Sequence, residues 1–221
     1  MASQLKELSK RLRRQYGKLL IATFNEGFAP GSVLEARSWN DLNLVGYLNK
    51  TIPKAELPEL VGPTTVLFGN FEREHELNIG GALDLIQPNA SAKSKFKKAK
   101  SSQATFESLL ATSYDLFELS DLLRSRDSFW TTTLGETMQE RRTRICYQAI
   151  RGKITFSFQG SGEALIDMKA TVGNLRSAGI DSGWKWRNNF LLESKKEVTI
   201  AIETARWHQG KRRLTPMKSK I

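Results

Sequence analysis

Residues 144–172 read RICYQAIRGKITFSFQGSGEALIDMKATV. The period is two almost throughout. Ile145, Tyr147 and Ala149 share one parity against Arg144 and Gln148, and Ile154, Phe156 and Phe158 alternate with Thr155 and Ser157. Ala164, Ile166, Met168, Ala170 and Val172 then alternate with Asp167, Lys169 and Thr171. Such alternation puts the apolar residues on one face of a strand. Arg151-Gly152 and Gly160-Ser161-Gly162 separate the three segments, so the spacing predicts tight turns there and antiparallel pairing. Val198, Ile200 and Ile202 begin a last strand running to Trp207.

Working outward, Thr105 to Arg124 reads as a helix. Phe106, Leu109, Leu110, Tyr114, Phe117, Leu119 and Leu122 make its broad apolar face. Ser120 and Asp121 offer an alternative start for a separate helix through Arg126. Residues 32–37 and 43–48 read as strands with Asn40 and Asp41 at the turn between them, after a turn at Ala29-Pro30-Gly31. The stretch 52–63 holds three prolines and reads as a loop, with one helical turn around Lys54–Leu60. Thr64–Phe68 is β-branched and apolar, and Phe71–Ile79 alternates around Glu72, Glu74 and Glu76; both read as strands. Residues 3–16 read as a narrow amphipathic helix, capped by Ser3 and carrying Leu5, Leu8, Leu12 and Tyr16 at spacings of three and four. Runs of strands with helices set apart predict an α+β fold, a twisted antiparallel sheet with flanking helices, rather than a doubly wound one. The expectation is a single domain over 1–208 and a basic, disordered tail over 209–221.

Charge is concentrated. Residues 1–18 carry six Lys/Arg against one acid, 91–100 carry five Lys, and 209–221 carry five Lys/Arg. The whole chain is +11, so the remainder is slightly acidic. Clusters of this kind attract a polyanion, either an acidic membrane surface or a nucleic acid. The candidate contacts are Lys6, Lys10, Arg11, Arg13 and Arg14 at the start, then Lys93, Lys95, Lys97, Lys98 and Lys100. Trp184 and Trp186 flank Lys185; indole rings so placed suit the headgroup level of a bilayer, the stacking of unpaired bases, or the edge of a core.

Signals for catalysis are weak. His75 and His208 are the two histidines, and no Cys or His pair has zinc spacing. Gly160-Ser161-Gly162 lacks the third glycine and the helix of a dinucleotide fingerprint, so it reads as a hairpin turn. Glu72, Glu74 and Glu76 read as a solvated strand face with His75 opposite. Cys146 lies in a strand pattern and reads as a buried, inert thiol. The lone cysteine excludes an intrachain disulfide and suits a reducing compartment. The basic N-terminus lacks the apolar core of a signal peptide. We expect no enzyme, cofactor, metal or small-molecule substrate, and a cytoplasmic protein recruited to a membrane.

The order of these elements resembles the pore-forming domain of the gasdermin family. The basic helix with Leu5, Leu8 and Leu12 is similar to that domain's first, lipid-contacting helix. Leu77 to Thr105 with the following Phe106–Arg124, and Arg144 to Val172 with Lys196–Trp207, resemble its two extensible hairpin regions and the closing strand. The resemblance implies binding to acidic phospholipid, homo-oligomeric assembly on the membrane and a role in cell death or defence. Charges on the lipid face of a spanning strand cost about 2–4 kcal/mol each at midplane, so Lys93–Lys100 would have to face a lumen or the rim. The alternative from the residues alone is a nucleic-acid-binding protein using the same lysines on phosphates and Trp184 and Trp186 on bases.

Overall fold

The alternating stretch around Ile145 builds one 17-residue strand, and everything else pairs around it. The structure is a computed structural model and describes residues 19–25, 28–36, 42–65, 75–77, 101–159, 184–186 and 191–217. Its strands are β1 (Leu19–Asn25), β2 (Ser32–Ala36), β3 (Leu42–Tyr47), β4 (Leu60–Thr65), β5 (His75–Leu77) and β6 (Ser101–Tyr114). After helices α1 (Leu116–Ser125) and α2 (Thr133–Met138) come β7 (Thr143–Gln159), β8 (Trp184–Trp186), β9 (Leu191–Ser194), β10 (Val198–His208) and β11 (Arg213–Pro216). All described pairings are antiparallel. The fold is therefore sheet-rich, with modest helix content among the described residues.

Along one edge β7 pairs first with β2 and then with β6; along the other it pairs first with β10 and then with β9. The first half of β7 thus lies in the body of the sheet. Its second half lies in a ribbon of β5, the start of β6, the end of β7, β9 and β8. Gly152 sits at the junction. It is not in a turn, which corrects the expectation of two strands joined at Arg151-Gly152. A Cβ there would lie 2.8 Å from the Glu107 carbonyl oxygen, 2.8 Å from Leu109 Cδ2 and 3.2 Å from Ile200 Cδ1. The glycine admits close approach of neighbouring strands rather than a reversal of the chain.

The expected helix over 105–124 is also corrected. Its first ten residues belong to β6, and α1 starts only after Asp115. The cause is a bulge: Glu107 pairs with Lys153 and Leu110 with Arg151, so β6 holds one extra residue. Ser108, at φ 54°, lies in it. An extra residue resets the alternation, so the buried Phe106 and Leu109 fall three apart, the spacing of a helix. A second bulge separates Cys146 from Gln148 opposite Glu203 and Thr204. It moves Ala149 to the opposite face from Ile145 and Tyr147, against the simple parity.

The strands β2 and β3 pair as expected around the chain reversal, and Lys54–Glu56 forms a short 3-10 turn. β4 begins inside the expected loop, and Pro63 sits in a register shift between Val61 and Thr64, where the ladder asks least of a residue without an N–H. The part of Thr64–Phe68 beyond Thr65 lies outside the described residues, as do 3–16, 160–172 and the flanks of β5.

One core packs Leu119, Leu123, Phe129, Met138 and Leu214 against Val33, Ile145, Ala205 and Trp207. A second, of Phe28, Leu34, Cys146, Ala149 and Ile202, also includes β7 and β10 residues. With both sides covered, β10 is buried almost continuously rather than in alternation. Thr199 resolves its burial by donating from Oγ1 to the Phe28 carbonyl at 2.7 Å.

The tail expectation is corrected for residues 209–216. β11 pairs with the end of β10, Leu214 is buried, and its N–H donates to the buried Ser120 Oγ at 2.9 Å. A single apolar residue among basic neighbours gives little periodicity, but it fills the gap between α1 and β10.

Candidate functional site

Most of the sequence-predicted contacts fall outside the described residues: Lys6, Lys10, Arg11, Arg13 and Arg14, and Lys93, Lys95, Lys97, Lys98 and Lys100. Trp184 and Trp186 are placed by their backbone. They open and close β8, in register with Ser194 and Leu192 of β9, on the outer strand of the ribbon as described.

The ribbon has an amphipathic register. One rung reads His75, Ala104, Phe156, Leu192, Trp186. Its neighbours read Thr105, Thr155, Glu193, Lys185 on one side and Glu76, Gln103, Ser157, Leu191 on the other. The next apolar rungs pair Phe106 with Ile154 and Ser102 with Phe158. Cross-strand partners share a face and successive rungs alternate faces. By register, Ile154, Phe156 and Phe158 of β7 share one face with Phe106 and Leu192, while Thr155 and Ser157 share the other with Gln103, Thr105 and Glu193; Leu191 on the second face and His75 and Ser102 on the first are the exceptions. At the body end the ribbon is anchored by the Ile154 N–H donating to the buried Ser194 Oγ at 3.1 Å. Sequence reading found the parity of 154–158 but not its continuation into β6, because the bulge disguised that strand.

The basic C-terminal segment is partly spoken for. Arg212 donates to Asp127 Oδ1 at 2.9 Å and to the Arg124 carbonyl at 3.2 Å. Both partners of that ion pair are well exposed, so it adds little to stability. Trp207 packs against Trp130, in the turn before α2, with ring centroids 4.3 Å apart. A cavity of about 530 Å³ opens beside it, lined by residues that include Arg141, Arg206 and His208. Neither the Trp pair nor this cavity was foreseen, since their residues are about seventy positions apart and meet only through the β7–β10 pairing.

Among the described residues, no group of three or more His, Cys, Asp and Glu is placed to hold a metal, and no helix is long and apolar enough to cross a membrane. Cys146 is fully buried, and burial pushes its thiol well above the ordinary value, which keeps it protonated. Tyr147 donates to Glu203 Oε2; burial, with that acceptor, likewise pushes its phenol far up.

No family model and no curated protein matches the sequence. Among solved structures the chain is similar to a bacterial gasdermin from Bradyrhizobium tropiciagri, with 15% sequence identity and a TM-score of 0.55. The match covers 93% of this chain and 88% of that one. The resemblance read from element order therefore holds in three dimensions: the chain has a fold like that of a bacterial gasdermin.

Proposed function

We propose that the protein is a non-enzymatic, gasdermin-like pore former that binds acidic lipid, assembles as a homo-oligomer on the membrane and crosses it with strands extending from the ribbon. The observation that carries this reading is the sorted register of β5, β6, β7, β9 and β8. A strand can cross a bilayer when one face is apolar and the other polar, provided its backbone is paired on both edges. The ribbon residues of β6 and β7 already meet the pairing requirement, each having partners on both sides over part of their length.

In this reading Lys6, Lys10, Arg11, Arg13 and Arg14 meet acidic headgroups, each contributing about 1 kcal/mol near the surface. Lys93, Lys95, Lys97, Lys98 and Lys100 precede β6 and lie at the rim or face the lumen. Trp184 and Trp186 settle at the interface. The setting is a cytoplasmic protein recruited to a membrane in cell death or defence.

The test is dye release from liposomes of acidic and of neutral lipid, with co-sedimentation read in parallel. Release confined to acidic liposomes is expected. Phe156→Asp should abolish release while leaving co-sedimentation intact, because it puts a charge in an apolar rung. Release that is unaffected by Phe156→Asp would overturn the strand-crossing reading. A salt-sensitive gel shift without liposome binding would transfer the basic clusters to nucleic acid instead.

A further inference from the structure

The cavity beside Trp207 lies between the segment following α2 and the end of β10. Two of its cations are unspent. Arg206 is half-buried and Arg141 exposed, and neither has a carboxylate within ion-pairing distance or a hydrogen-bond acceptor for its guanidinium among the described residues. Arg124, Arg126 and Arg212, by contrast, each hold an acid. A guanidinium without a protein partner keeps its N–H donors for an anion entering the cavity.

The rest of the lining is organised for donation. The His208 Nδ1 accepts the Lys211 backbone N–H at 3.2 Å, so the neutral imidazole carries its proton on Nε2, a free donor. Gln209 Nε2 donates to Gln139 Oε1 at 2.9 Å, which ties one wall in place. Trp207 is 7% exposed and packs against Trp130 with the two rings tilted by 31°, which holds it in place at the cavity. Arg206 is held in register opposite Thr215 of β11. Glu140 also lines the cavity; it and its neighbour Arg141 are both exposed and screened by water, and Arg206, half-buried, is the least screened of the three charges.

We infer that this cavity binds a phosphoryl group, with Arg206 and Arg141 gripping its oxygens and His208 donating from Nε2. Guanidinium forks match phosphate geometry, and about 530 Å³ accommodates a phosphate monoester with a small substituent. The source is either a soluble phosphate monoester or the headgroup of a phosphatidic-acid-type lipid. The site stands independently of pore formation.

The experiment titrates the full chain with glycerol 3-phosphate and inorganic phosphate by calorimetry, and with vesicles of phosphatidic acid or phosphatidylglycerol by co-sedimentation. Arg206→Gln and Arg141→Gln are compared with Arg213→Gln, which removes one charge from the exposed start of β11. Saturable binding of the soluble esters, weakened about tenfold or more by either cavity variant and unchanged by Arg213→Gln, is expected. Where the headgroup is the source, the same ranking appears only on phosphatidic acid vesicles and not on phosphatidylglycerol. Equal effects of all three variants, or no saturable binding in either arm, would overturn the site. Thermal unfolding verifies that Arg206→Gln folds, and the exposed Arg141→Gln keeps the test decisive if it does not. Dye release is measured separately, so loss of this site and loss of pore activity are distinguishable.

Discussion

Replacing Gly152 with alanine tests the geometry on which the ribbon depends. The added Cβ would meet the Glu107 carbonyl oxygen and Leu109 Cδ2, each at 2.8 Å. The first is backbone in the adjacent strand and cannot swing aside. Overpacking of this kind costs about 1–3 kcal/mol, offset by about 0.4–1 kcal/mol because alanine restricts the unfolded chain. The net expectation is a loss of about 1–2 kcal/mol. For a chain of this size each kcal/mol moves the midpoint by about 2–4 °C, so thermal unfolding followed by circular dichroism should shift down by about 2–8 °C. Gly210→Ala is the matched control: its Cβ would meet His208 Cε1 at 3.6 Å, an ordinary contact, and its stability should be unchanged or slightly raised. Gly152→Ala as stable as the wild type would refute the close approach and return Arg151-Gly152 to the turn that its sequence suggests.

Other expectations follow from single contacts. Ser120→Ala should cost about 1–3 kcal/mol in urea unfolding, because it strands the buried Leu214 N–H that now donates to Ser120 Oγ. Asp115→Ala should cost about 1 kcal/mol, since Asp115 Oδ1 caps α1 by accepting from the Phe117 and Glu118 N–H groups at 2.8 and 3.0 Å. Cys146 should resist thiol reagents in the folded chain and react at once in urea. Stability should hold up to about pH 9 and fall above it. The folded-state values of Cys146 and Tyr147 lie above their ordinary values of 9.0 and 10.0, so the unfolded chain loses those protons first as pH rises. Tyr147→Phe should flatten the part of that decline above pH 10, as read from urea midpoints across the alkaline range.

Local pattern carried a good deal of this molecule. Alternation at 145–158 and 198–202 announced β7 and β10, and the strands read at 32–37 and 43–48 are β2 and β3, the turn expected at Asn40-Asp41 lying outside the described residues. It failed where one residue is inserted into a ladder. The bulge at Glu107–Leu110 made β6 look like a helix, and the one at Tyr147 sent Ala149 to the other face. It failed again at Gly152, where a glycine that a turn would need is needed instead by two approaching strands.

By itself, then, the amino-acid order settled the antiparallel sheet, the gasdermin-like succession of elements and the segregation of charge, because periodicity and composition are properties of neighbours along the chain. Only the tertiary structure decided that β7 is a single spine serving both body and ribbon, that Leu214 docks the basic segment onto α1, and that Arg141, Arg206 and His208 share a cavity with Trp207. These depend on which strands pair and in what register, and pairing energies are set between residues far apart in sequence, where no local repeat records them.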